Sequence, residues 1–212
     1  MAAVTATDEA RPRARRPRND TRQRLVDAAT DLMWRHGIGE VSVDMILERA
    51  KVLKGSFYHF FPSKADILLE CLENIWRHQS EQLAAIYAES ATPREALERH
   101  LQMLVQVQVA AKRDLGFVPG TFNMSMPTSI LREDPRIAGK MRELMDSNLH
   151  YLERGLQHVA ETQGLRHSVE TTARLIAYAL GGAILVARMN NSLAPLDDVD
   201  QILTEALAPP QS

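Results

Sequence analysis

Apolar residues recur at helical spacing along nearly the whole chain, and nowhere do they take the strict alternation of a half-buried strand. Leu25, Ala28, Ala29 and Leu32 fall on one face of a helix expected from about Asp20 to His36, which Gly37 closes. Ser42 then caps a short helix at Val43, with Asp44 in its first turn and Val43, Ile46, Leu47 and Ala50 facing inward. Lys51, Val52 and Leu53 form a turn anchored by Val52. A second short helix runs from about Lys54 to Phe60, with Phe57 and Phe61 four residues apart on its inner face. That geometry leaves Lys54, Ser56 and His59 pointing outward and Tyr58 at the margin. Pro62 stops the helix, and Ser63 with Asp66 opens the next as a capping box. Lys64 therefore lies beside a helix N-terminus, a place that already attracts phosphate.

The pattern beyond is one of longer helices. One is expected from Ser63 to about Ser90. Thr92, Pro93 and Glu95 start another, which runs to about Arg113. Residues 114 to 133 break the periodicity with Gly116, Pro119, Gly120 and Pro127. Asp134 and Pro135 open a long helix that reaches Gln163 and stops at Gly164. Ser168 caps the next, to about Asn191, and residues 196 to 207 form a last short helix. The fold class is all-α.

Two short helices joined by a tight turn, the second presenting small, polar and basic groups, are how a helix-turn-helix unit enters the major groove of DNA. Residues 21 to 68 also resemble the N-terminal domain of TetR/AcrR-type transcriptional regulators. The matching stretches are Leu25 to Ala29, His36-Gly37, Val43 to Ala50, and above all Gly55-Ser56-Phe57-Tyr58 followed by Phe61-Pro62-Ser63-Lys64. The resemblance covers about a quarter of the chain, and its order and spacing are specific. It implies a three-helix DNA-binding domain over residues 20 to 66 and a helical ligand-binding and dimerisation domain over 67 to 212. It also implies a dimer that binds a DNA operator and lets go when a small molecule occupies the C-terminal domain. Carried over by position, Tyr58 and Lys64 would touch phosphates, and Lys54, Ser56 and His59 would lie at base edges. Ser42 and Gly55 complete the DNA-binding set. Two positions depart from the family pattern. Lys51 stands where glycine is usual, and Leu53 where a serine or threonine would cap the reading helix, a loss of about 1 kcal/mol.

Charge supports the same reading. The chain carries a net charge of −2 that hides a polarity. Residues 1 to 64 hold 12 Lys/Arg against 8 Asp/Glu, and the remainder holds 13 against 19. A basic end beside an acidic body suits a protein that turns one face to phosphates. Arg11, Arg13, Arg15, Arg16 and Arg18, interleaved with Pro12 and Pro17, form a segment over residues 1 to 19 that is expected to be a disordered arm. No apolar stretch follows those arginines, so a secretory signal is not expected. The single cysteine, Cys71, suits a reducing cytoplasmic setting and is expected in the core. The longest apolar run, Leu175 to Ala187 with glycine allowed, falls short of the roughly 20 residues that span a bilayer, and no membrane partner is expected.

Two roles are expected of the C-terminal part. Leu175, Ala179, Gly182, Ala183, Val186 and Ala187 lie along one face of the penultimate helix, an apolar strip suited to a homodimer built from the last two long helices. The glycine-broken stretch around Phe117, Phe122 and Asn123 is rich in pocket-forming types, and Trp76, Met103, Tyr151 and Tyr178 lie on helices expected to surround it. That stretch resembles a Gly-Cys-x-x-Gly-Asn-Leu element of one branch of the family, with Phe117 in place of the cysteine. No phosphate loop, nucleophile elbow or zinc-protease motif occurs, and the seven histidines are scattered, so neither an enzyme nor a metal or other cofactor is expected. A helical protein-binding adaptor, and an activator using the same reading head, are the competing readings.

Overall fold

The computed structural model describes residues 18–121 and 126–209, and the described part is helical throughout. Helix α1 spans Arg18–His36, so it begins inside the segment expected to be an arm; the rest of that segment lies outside the described residues. It ends at Gly37, which takes φ +83° and donates its N–H to Met33 O at 3.0 Å. Helices α2, Val43–Ala50, and α3, Lys54–Phe60, follow with the expected bounds. Ser42 Oγ accepts from Met45 N at 3.2 Å, and Ser63 Oγ accepts from Asp66 N at 3.3 Å while donating to Asp66 Oδ2 at 2.6 Å. The second pair starts α4, Lys64–Glu89, a helix long enough to leave the reading head and run deep into the rest of the molecule.

Helix α5, Pro93–Leu115, is capped by Thr92 Oγ1 on Glu95 N at 3.1 Å, and Glu95 reaches back to Ala91 N at 2.8 Å. It closes at Gly116, φ +82°. The sequence pattern left residues 114 to 133 irregular, but a helix, α6, forms over Thr128–Glu133. Its six residues are too few to register a periodicity, and Pro127 at its N-cap reads in sequence as a break rather than a start. Helix α7, Pro135–Gln163, and helix α8, Val169–Asn190, are the last long pair. A single 3₁₀ turn, Ala194–Leu196, leads into α9, Val199–Ala206.

Two apolar clusters hold these elements. The first lies under the reading head, where Phe57 and Phe61 meet Leu25, Ala29, Met33 and Ile46, and continues along α4 to Leu72. Ile137 and Met141 of α7 complete it, so the two halves of the chain share packing. Arg22 adds a lid, pairing with Glu70 while its guanidinium lies 5.4 Å from the Phe61 ring. The second cluster joins α5, α7, α8 and α9 through Leu97, Leu156, Ile176, Ile184 and Leu203. Gly155 of α7 leaves room for side chains of α5 and α4, since a Cβ there would stand 2.8 Å from Leu97 Cδ2 and 3.0 Å from Tyr87 Cε1.

By length and composition the 22 residues of α8 are apolar enough to cross a membrane, which the 13-residue run alone did not suggest. Thr172, Ala173, Ile176, Leu180, Ile184 and Ala187 of α8 are buried within this chain. The helix thus serves as a protein-core element along one stripe.

Candidate DNA-reading surface and effector cavity

The reading surface is built by burying one face of α3 completely. Phe57 has no exposed area, and its ring packs edge-on to Tyr58 at 5.2 Å and against Phe61 at 5.8 Å. With that face fixed, Lys54, Gly55, Tyr58 and His59 are exposed and Ser56 is half-exposed. His59 is packed edge-on against Phe60 at 5.0 Å. Lys54 Nζ stands 3.6 Å from Asp44 Oδ1, an exposed pair that links α3 to α2. Lys54 to His59 lie on the one short helix, and Lys64 follows at the start of α4. Lys64 is half-buried, and desolvation pulls its pKa below the usual lysine range, opposed by the carboxylates of Glu133 and Glu40. Ser42 contributes a helix cap at the far end of α2 rather than an outward-facing group on α3.

The two positions that depart from the family pattern have structural consequences. Lys51 adopts φ +54°, the left-handed conformation that glycine takes freely and that costs a side-chain-bearing residue about 1–2 kcal/mol. Lys51 N donates to Glu48 O and Val52 N to Leu47 O, at 3.2 and 3.1 Å, closing α2. Arg24 of α1 donates to the carbonyls of Ala50 and Lys51, so the turn is held from behind. Leu53, the N-cap residue of α3, offers no side-chain hydrogen bond and is 82% exposed. It presents an isobutyl group on the same edge as Lys54.

Behind the reading head lies a cavity of about 390 Å³. Helix α4 forms one wall with Leu72, Ile75, Trp76, Gln79 and Leu83, and α5, α7 and α8 form the others. Trp34 reaches it from α1, so an element of the reading head is part of the lining. Trp76 and Met103 line this cavity, and Tyr178 lines it while remaining 61% exposed at its edge. Tyr151 does not line it. That ring sits half-buried between Trp76 and Tyr87, at 6.4 and 5.6 Å, and its hydroxyl donates to Ser80 O at 3.3 Å. Phe117 also stands apart, in a smaller cleft of about 200 Å³ against the end of α1. Phe122 and Asn123 lie outside the described residues.

Sequence reasoning missed the polar framework of this region. Gln108 is almost fully buried; its amide donates to Gly120 O at 3.1 Å and accepts from Gly120 N at 3.0 Å. Asn191 closes α8 in a left-handed conformation, accepts from Val118 N at 3.0 Å and donates to Gly116 O at 3.2 Å. Together they pin the loop after α5. His100 is wholly buried between the Tyr87 hydroxyl, 3.2 Å from Nδ1, and Asn148 Oδ1, 3.0 Å from Nε2. Burial lowers its pKa to about 4. A glutamine or histidine on a helix carries no local sign of such a role; only the neighbours that tertiary packing supplies reveal it.

Cys71 is buried as expected, and desolvation raises its thiol to about 11. Among the described residues no cluster of three metal-ligating side chains occurs.

On the outer side of α8, Leu175, Tyr178, Gly182, Leu185 and Met189 are all exposed, at alternating three- and four-residue spacing. Ala179 and Val186 lie beside them, also exposed. Ala183 is half-buried, and Ala187, expected on this strip, is instead buried in the chain's own core.

A three-helix unit with a polar, exposed short helix, continuous through α4 with a cavity-bearing helical body, is the architecture of helix-turn-helix regulators. The sequence profile described as bacterial regulatory proteins, tetR family, matches residues 25–71, so the N-terminal domain is of this family's type. The transcriptional regulator AcuR of Cereibacter sphaeroides is 41% identical over 68 residues, 30% of this chain and 31% of that protein's length. Alignment with the HTH-type transcriptional repressor NemR of Escherichia coli gives 25% identity over 200 residues, 91% of this chain and 96% of that protein. The crystal structure of regulatory protein TetR from Rhodobacter sphaeroides has the same fold, with a TM-score of 0.76 and 22% identity over 88% of this chain and 98% of that one.

Proposed function

We propose that this protein is a cytoplasmic, ligand-responsive transcriptional repressor that binds a palindromic operator as a homodimer and is released by a small molecule. The carrying observation is the exposed edge of α3, where Lys54, Ser56, Tyr58 and His59 stand together over the buried Phe57. Lys54, Ser56 and His59 read base edges in the major groove, and Tyr58 and Lys64 hold phosphates on either side. Three or four reading residues specify few base pairs, so two copies bind half-sites about 34 Å apart.

The dimer forms through α7 and the outer strip of α8. Five exposed apolar positions at three- and four-residue spacing on one helix are the seam geometry of paired helices. The effector occupies the cavity behind α4. Because α4 carries both a cavity wall and, at its start, Lys64, a shift of that helix moves the two reading heads away from one-turn spacing. A coupling of about 1–3 kcal/mol, a 5- to 150-fold change in affinity, is enough for release.

The test is fluorescence anisotropy of the purified protein on DNA upstream of its own coding region, followed by selection from random duplexes, in rising salt. Saturable binding to a palindromic site that falls steeply with salt is expected. Failure of both searches to yield any preferred sequence refutes the repressor reading and favours a protein-binding adaptor.

A further inference from the structure

The lining of the cavity behind α4 narrows what can fill it; this inference rests on the effector reading above. Leucine, isoleucine, methionine and tryptophan make up most of the wall, and among the described residues no acidic or basic side chain lines it. A carboxylate or an ammonium group would enter without a counter-charge, which an apolar wall penalises heavily.

The polar side chains of the wall are Gln79, Gln108, Thr121, Asn148 and Tyr178, with the indoles of Trp34 and Trp76, and Asn148 is the one bound to a buried histidine. Gln108 has both ends of its amide committed to Gly120. Asn148 is committed at one end only. Its Oδ1 lies 3.0 Å from His100 Nε2, and the other nitrogen of that ring lies 3.2 Å from the Tyr87 hydroxyl. A neutral imidazole donates from one nitrogen and accepts at the other. With Nε2–H donating to Asn148 and the Tyr87 hydroxyl donating to Nδ1, the ring is satisfied at both nitrogens. In that tautomer the Asn148 amide keeps its oxygen on His100, which leaves the N–H groups of Asn148 Nδ2 with no protein acceptor among the described residues. Asn148 is itself part of the cavity lining.

We propose that the cavity takes an uncharged, largely apolar molecule bearing a hydrogen-bond acceptor such as a carbonyl, and that Asn148 is the donor that recognises it. His100 and Tyr87 are positioning residues, acting through the Asn148 amide. Selectivity for a carbonyl over its hydrocarbon isostere comes from the Asn148 amide, which the buried hydrogen-bonded chain holds in place, and selectivity against ions from the neutral wall.

Both tryptophans of the chain, Trp34 and Trp76, line the cavity, so intrinsic fluorescence of the full-length protein reports its occupancy directly. Four probes of similar size separate the terms: 4-acetylbiphenyl, 4-ethylbiphenyl, biphenyl-4-acetate and biphenyl-4-ylmethylammonium. The ketone is expected to bind at least about tenfold more tightly than either ion and about two- to twelvefold more tightly than the hydrocarbon, the range of one neutral hydrogen bond. Asn148→Leu is expected to erase the difference between ketone and hydrocarbon. Asn148→Asp keeps an acceptor for His100 while removing the donor, and is expected to weaken the ketone and favour the ammonium probe; it tests the idea even if the leucine variant does not fold. Tighter binding of an ion by the unaltered protein, a ketone affinity indifferent to both substitutions, or no fluorescence response to any probe overturns the assignment. Probe binding that follows the expected order while operator affinity stays unchanged refutes the effector reading alone.

Discussion

Acid should weaken this protein through His100, and the size of the effect follows from its surroundings. In the unfolded chain the imidazole titrates near 6.5, and in the folded protein burial lowers this to about 4. Between those values the unfolded state takes up a proton that the native state refuses. Stability is therefore fully present above about pH 6.5, declines as pH falls toward 4, and loses nothing further from this group below that. A difference of that span corresponds to about 3 kcal/mol at 1.36 kcal/mol per tenfold change in proton affinity. Carboxylates titrate in the lower half of the same window, so a single melting curve cannot isolate the effect. The comparison to make is between the unaltered protein and His100→Gln, whose amide can still donate to Asn148 Oδ1 but does not titrate. Urea unfolding of both, followed by circular dichroism from pH 7 to pH 4, gives the difference. The glutamine variant is expected to be less stable at pH 7, where repacking disfavours it, and to close the gap by up to about 3 kcal/mol as the pH falls. Parallel pH profiles for the two proteins, or a native His100 that protonates above pH 6 by NMR, would refute the reasoning.

Other consequences are smaller in scope. Leu53→Thr places a capping hydroxyl at the start of α3 and gives up an isobutyl group that is already 82% exposed, so thermal unfolding should show a gain of about 1 kcal/mol; no gain would mean the backbone there does not accept a cap. Val186→Glu puts a charge on the exposed strip of α8, and sedimentation should report a monomer that retains its helicity; an unchanged mass would place the dimer contact elsewhere. Lys64→Ala should weaken binding to all DNA sequences alike and reduce the salt slope by about 1, whereas Ser56→Ala or His59→Ala should change sequence preference. The Cys71 thiol, buried and raised to about 11, should resist an aromatic disulfide reagent at pH 8 until the protein is unfolded, and rapid labelling of the native state would contradict its burial.

Local chemistry made the reading head legible from sequence. Ser42, Ser63, Thr92, Asp134 and Ser168 each cap the helix they precede through a contact within three residues, and Gly37, Gly116 and Gly164 end helices because their backbones take positive φ. Phe57 and Phe61, four apart, determined which face of α3 is buried and hence which residues point outward. The six-residue α6 was not legible, since a single turn and a half carries no period.

What the sequence by itself determined, then, is every described α-helix but α6, the family type of the N-terminal domain and the outward edge of α3, because each depends on residues close together in the chain. Tertiary structure alone decided the rest. It put Trp34 of α1 into the cavity wall and kept Tyr151 out of it. It split α8 into an inner stripe that buries Ala187 and an outer one that exposes Leu175 and Met189. It also joined Tyr87, His100 and Asn148, residues 13 and 48 positions apart, into one hydrogen-bonded chain. Helical periodicity states that a face is apolar or polar, but the partner of that face is fixed only when distant helices pack.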